Sequence, residues 1–188
     1  MTTKVQVKNG INVDQLVETI EAVKDDPSLG SFTFRARSTW QDGTYNTGEI
    51  QGFRHAGQED ESRETPFQLE GDEPPVLLGS NKGPNAVELL LQGLAFCYAV
   101  GYAANAAAKG IEIESMEYEI EGDFDVRSFL GLEGSRPGFN AIRAKGRISS
   151  PNATKEQLEE LCQYVQDTSP VRDSLANAVP VTTTLEVV

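Results

Sequence analysis

The chain has 188 residues, 38% hydrophobic and 24% charged, the composition of one globular domain or one domain with an appendage. Its formal net charge of −13 is spread along the chain and argues against nucleic acid or an anionic membrane as a partner, because phosphate binding needs a basic surface. Two cysteines are too few for a disulfide framework, no Cys, His or Asp spacing suggests a metal site, and the single histidine, His55, has no nucleophile-elbow motif beside it.

The opening residues MTTKVQVKNG lack an apolar core of signal-peptide type, so a cytoplasmic protein is expected. Asn12 or Asp14 opens a short helix reaching Asp25, with Leu16, Ile20 and Val23 on one face. Residues 1–30 read as an N-terminal helical extension, set apart from a main domain over 31–188. Phe32 to Trp40 alternates as a half-buried strand, Gln41-Asp42-Gly43 is a turn, and Thr44 to Phe53 returns as the second strand of a hairpin. The polar run His55 to Arg63 reads as a loop. Thr65 to Leu69 is a third strand, with Pro66 indicating an edge.

A long helix is predicted over Pro84 to Lys109. It is apolar on nearly every face, which marks a helix buried all round and not, given its Asn, Gln and Gly interruptions, a membrane span. Asn85 and Glu88 have the spacing of a capping box, and Gly110 stops the helix. Cys97 lies at its middle between Gly93 and Gly101. Ile111 to Glu121 is a strand with a bulge expected near Ser115, where the apolar parity switches. Gly122 to Asn140 is a long irregular loop.

Ala141 to Ser149 is a strand whose outward Arg143, Lys145 and Arg147 match Glu117, Glu119 and Glu121 for cross-strand pairing. Lys155 to Asp167 is an amphipathic helix carrying Leu158, Leu161, Cys162 and Val165 on one stripe. Ser169-Pro170 ends it, Val171 to Leu175 forms a further turn, and Val181 to Val188 reads as a closing strand. The order β-β-β-α-β-β-α-β defines an α+β fold with mostly antiparallel sheet.

The N-terminal β-meander, the long helix with GPNAVELL and AFCYAV, and the C-terminal helix running into TSPVRDSL together resemble the OsmC/Ohr family of thiol-dependent peroxide reductases. The likeness runs from about Phe32 to the end. It implies an OsmC-like domain over 31–188, with sheets wrapped around a long buried central helix in an intertwined homodimer whose active sites lie at the dimer interface. It also implies a chemistry of two cysteines, an arginine and a glutamate. The first thiolate becomes a sulfenic acid, the second cysteine closes a disulfide, and a dithiol reopens it. No cofactor is implied.

On this pattern Cys97 takes the peroxidatic position. The resolving position, in the family's Cys-Pro-Val string, is Ser169 in Ser169-Pro170-Val171. The family glutamate falls at Val87, one residue before Glu88, and the family arginine has no match between Pro74 and Lys82. The candidates are therefore Cys97 as reactive thiol or core residue, Glu88 as arginine-orienting group or cap, and Arg35 and Arg37 as partners of the thiolate or a solvated strand face. Ser169 is polar lining of the thiol pocket or a helix-ending residue. Cys162 reads as core filler or an alternative resolving thiol, His55 as a loop residue or proton shuttle, and Arg54 and Arg63 flank the polar loop. Two functions follow. One is a single-cysteine peroxidase of organic hydroperoxides that needs an external thiol reductant. The other is a non-enzymatic relative binding a small apolar or reactive molecule.

Overall fold

The computed structural model describes residues 5–188; the first four residues of the expected N-terminal extension lie outside them. The elements run β1 (Val7–Lys8), β2 (Ile11–Asn12), α1 (Val13–Asp25), β3 (Phe32–Phe34), β4 (Arg37–Asp42), β5 (Tyr45–Ile50), β6 (Phe53–His55), β7 (Gln58–Asp60) and β8 (Phe67–Gly71). They continue with α2 (Ala86–Ala108), β9 (Ser115–Asp123), β10 (Ala141–Ser149), α3 (Lys155–Thr168) and α4 (Pro170–Ala176). The described chain forms two compact units, one of residues 5–6 and 12–90, the other of 7–11 and 91–188. The fold is α+β with antiparallel pairing throughout its three larger sheets.

In the first unit α1 starts where the sequence indicates, because Asn12 Oδ1 accepts from the Gln15 amide at 3.1 Å. The strand predicted over Phe32 to Trp40 is instead two strands, broken at Arg35-Ala36. The halves pair with different partners: Phe32 and Phe34 oppose His55 and Phe53, while Arg37 and Thr39 oppose Glu49 and Thr47. The predicted loop His55 to Arg63 contains the hairpin β6–β7. Its two-residue turn, Ala56-Gly57, has φ of 48° and 80°, the left-handed pair that matches strand twist. The polar run Gln58-Glu59-Asp60 carries no apolar alternation, so periodicity could not reveal it. Strand β8 lies antiparallel to β5, and Pro66 falls just before it.

The second unit is built on α2, whose N-terminal turn belongs to the first. Leu94, Tyr98, Tyr102 and Ala106 recur every fourth residue and bury one stripe against Leu161 and Val165 of α3. Met116, Tyr118 and Ile120 of β9 and Ile142 and Ile148 of β10 pack on the same cluster. At Gly101 an added Cβ would stand 3.0 Å from Val165 Cγ1, so the missing side chain allows α2 and α3 their close approach. Among the described residues this stripe and Ala107 are the buried part of α2; Phe96 and Val100 on the other side are 65% and 69% exposed. By length and composition α2 would suffice to cross a bilayer, yet its buried stripe is the core of a packed unit.

Gly110, at φ 72°, closes α2, and the amide of Ile111 returns to the carbonyl of Ala106 at 2.8 Å. Strand β9 begins only at Ser115, so Ile111 and Ile113 precede it and the expected bulge is not needed. The tip of the β1–β2 hairpin is tied to this segment: Asn9 donates to the carbonyl of Ile111 and accepts from the amide of Ile113, both at 2.9 Å. The register of β9 and β10 sets Arg143 opposite Glu121, Lys145 opposite Glu119 and Arg147 opposite Glu117, as the charge pattern predicts. Residues 178–188 have no partner strand among the described residues, so the predicted closing strand is not formed within the chain; Val181, Leu185 and Val187 are exposed.

Candidate functional site

Cys97 stands at the middle of α2, on a face between the buried stripe and the exposed one, and is half-buried. Its Sγ lies 3.1 Å from Ser169 Oγ. Ser169 is buried at the corner where α3 ends and α4 begins, and it caps α4 by accepting from the Arg172 amide at 3.2 Å. Ser169 Oγ accepts from that amide, and in its contact with Cys97 either the hydroxyl or the thiol can donate. The corner itself is held by the Arg172 guanidinium, which donates to the carbonyl of Gln166 at 3.3 Å. Thus the sequence pattern that put Ser169 beside the thiol has a local cause: Pro170 ends α3, and its own fixed φ starts α4.

Cys97 and Ser169 line an open cavity of about 430 Å³. Phe96, Val100, Val165 and Val171 supply apolar walls, and Gly93 leaves open space where a side chain would stand. No charged side chain lines it. The arrangement can admit an apolar molecule to the sulfur, with Asn105, Thr168 and Ser169 as the polar part of the lining.

The other candidates from the sequence have partners of their own. Glu88 forms the capping box: its carboxylate accepts from the Asn85 amide at 2.8 Å, and its amide donates to Asn85 Oδ1 at 2.9 Å. Arg35 makes a two-pronged pair with Glu59 at 2.6 and 2.8 Å, and with Arg54 it holds the Glu59 carboxyl at about 2. Arg37 lines a separate cavity of about 440 Å³ beside Asn46 and Glu70. Arg35, Arg37 and Glu88 all lie in the first unit, Cys97 and Ser169 in the second. His55 stacks on Phe32 at 4.3 Å and its Nε2 pairs with the carbonyl of Leu29 at 2.8 Å, a structural role. Arg63 sits over the rings of Phe53 and Phe67. Cys162 faces a different cavity and receives a hydrogen bond from Gln166 Nε2 at 3.2 Å.

Sequence reading did not single out Asp72. Asp72 is 4% exposed and accepts from Thr44 Oγ1 at 2.6 Å and from the amides of Glu73, Ser80 and Lys82 at 2.8 to 3.2 Å. The Thr44 hydrogen bond first, then those amides, pull its carboxyl down to about 2 against the cost of burial. The residue fixes the turn that leads into α2. An Asp ahead of two prolines was the available signal, since such side chains organise turns.

The site is a half-buried thiol on a long helix, faced by a helix-capping serine, in an antiparallel α+β fold. The family described as OsmC-like protein matches residues 79–184, more than half of the chain. The chain belongs to the OsmC-like protein family. An OsmC-like protein from Mycoplasma pneumoniae has a similar structure at 21% identity, with 77% of this chain and 87% of that one covered and a TM-score of 0.58. An OsmC-like protein of unknown function from Vibrio cholerae gives 13% identity, 75% and 92% coverage and a TM-score of 0.56. An organic hydroperoxide resistance protein OsmC from Legionella pneumophila gives 15% identity, 76% and 88% coverage and a TM-score of 0.51. At these identities the structures establish the fold alone. No curated protein matches this sequence.

Proposed function

We propose that the protein is a single-cysteine peroxidase that reduces organic hydroperoxides at Cys97. The thiolate sulfur attacks one peroxide oxygen, the S–O bond forms as the O–O bond breaks, and the alcohol leaves after taking a proton. Cys97 is then a sulfenic acid. An external thiol attacks that sulfur and water departs. A second equivalent of the same thiol opens the mixed disulfide and is released as its own disulfide. Ser169 supplies the hydrogen bond that favours the thiolate, but it cannot close an internal disulfide.

The observation that carries this reading is the 3.1 Å contact between Cys97 and Ser169 at the mouth of an apolar cavity. Apolar walls suit the organic half of a hydroperoxide. The uncharged lining favours a second reading, a protein that binds a small apolar molecule without chemistry. The reading also includes a homodimer, since Phe96 and Val100 flank the thiol on an exposed apolar face of α2. Consumption of cumene hydroperoxide with dithiothreitol as reductant tests it. Turnover that disappears in Cys97→Ser, with the fold retained by circular dichroism, is the expected result. No turnover in the unaltered protein leaves the binding reading.

A further inference from the structure

Arg172 is joined to the surroundings of the thiol from two directions. Its backbone amide donates to Ser169 Oγ at 3.2 Å, and that oxygen stands 3.1 Å from Cys97 Sγ. Its guanidinium reaches back across the corner and donates from Nη1 to the carbonyl of Gln166 at 3.3 Å. Gln166 lies in the last turn of α3, where a helix leaves its carbonyls without amide partners. A cation there meets the negative end of the helix. One side chain thus ties the end of α3 to the start of α4, and Ser169 is the residue between them.

No carboxylate among the described residues forms an ion pair with this guanidinium, although Arg35, Arg54, Arg127, Arg143 and Arg147 each have one. The neighbouring acid, Asp173, accepts from Asn177 Nδ2 at 2.7 Å instead. Arg172 is half-buried, and its side chain is committed to the corner. Burial pushes the Tyr98 phenol up, and the Arg172 charge opposes that rise, so the guanidinium lies on the side of the corner that packs against α2. Tyr98 is the residue after Cys97. Gln166 is fixed in turn, since its Nε2 donates to Cys162 Sγ at 3.2 Å one turn earlier in α3.

We propose that Arg172 is a positioning residue for Cys97, locking the α3–α4 corner so that the Ser169 hydroxyl stays on the sulfur. The proposal rests on the reading of Cys97 as a reactive thiol. Without the guanidinium the helix break at Ser169-Pro170 remains, because the proline still sets it. What is lost is the second tie across the corner. The Ser169 side chain is then free to leave the single staggered position that serves both the Arg172 amide and the sulfur. Arg172 acts on the thiol only through Ser169, and this sets it apart from a residue that merely adds stability.

The test follows alkylation of the reduced full-length protein by excess iodoacetamide, with the rate at Cys97 read by peptide mass spectrometry. Arg172→Met keeps an apolar stem and removes the donors. It is expected to slow Cys97 alkylation about fivefold, the effect of losing one hydrogen bond of ordinary strength. Arg172→Lys keeps a charged donor and is expected to restore most of the rate. In a Ser169→Ala background the Arg172→Met change is expected to leave the rate nearly unaltered, because the residue it acts through is gone. Urea unfolding of the same proteins is expected to show an equal loss from Arg172→Met in both backgrounds, since the tie to Gln166 does not involve the serine hydroxyl. Equal slowing of alkylation in both backgrounds, no slowing at all, or slowing that Arg172→Lys fails to relieve would overturn the proposal. Alkylation needs no hydroperoxide, so these outcomes are read whether or not the protein turns hydroperoxide over.

Discussion

Ser169 serves the backbone and the thiol at once. It caps α4 through the Arg172 amide and faces the Cys97 sulfur. Ser169→Ala is expected to destabilise the protein by about 1 kcal/mol through the lost cap, measured by urea unfolding, and to slow sulfenic acid formation. Ser169→Cys puts a thiol where the family resemblance implies a second cysteine; a Cys97-linked internal disulfide after hydroperoxide treatment, seen as a mass loss of two hydrogens, is the expected outcome. Asp72 makes a pH prediction. Its carboxyl falls from the ordinary 3.8 to about 2 on folding, so its stabilisation is complete above pH 4 and is lost as pH drops toward 2. Asp72→Asn should therefore lessen the fall in stability between those pH values. The helix end at Ser169 was legible in Ser169-Pro170, because a proline fixes where one helix ends and the next begins, whereas its place beside the thiol was implied by the family resemblance. The four hydrogen bonds of Asp72 were not legible, since three of them come from backbone amides that no residue pattern encodes.

The elements were legible where caps and periodicity agree. Asn85, Glu88 and Gly110 set α2 at Ala86–Ala108 against a predicted Pro84–Lys109, and Ala141–Ser149 matches β10. They were not legible where pairing decides, as in the break between β3 and β4 or the polar hairpin β6–β7. The α2–α3 contact is the element on which the thiol site depends. Gly101→Val places a side chain against Val165 and is expected to cost about 1–3 kcal/mol by overpacking, with a lowered Tm. Leu161→Ala, at a position with no exposure, is expected to cost about 2–5 kcal/mol in the same unfolding assay. Either change also loosens the corner that carries Ser169, so hydroperoxide reduction should fall along with stability.

For the whole molecule, the apolarity of α2 predicted complete burial, and the described residues bury one stripe and Ala107. The other face, with Phe96 and Val100, and the unpaired apolar residues Val181, Leu185 and Val187 leave surface that a second copy would cover. A stable dimer by light scattering is the expected result, and a monomer at micromolar concentration would contradict it. Membership of the family was legible as a conjunction of elements spread over the chain, while the position the resemblance implies for a glutamate holds Val87 and the implied arginine has no match between Pro74 and Lys82. Whether the family's chemistry survives therefore turns on the sulfur itself. The decisive measurement is the intact mass of the reduced protein after a single equivalent of cumene hydroperoxide, with dimedone present to trap sulfenic acid. One dimedone adduct, formed rapidly and mapped to Cys97, is the predicted result. A protein that gains no adduct, and whose Cys97 also resists iodoacetamide, would contradict the account.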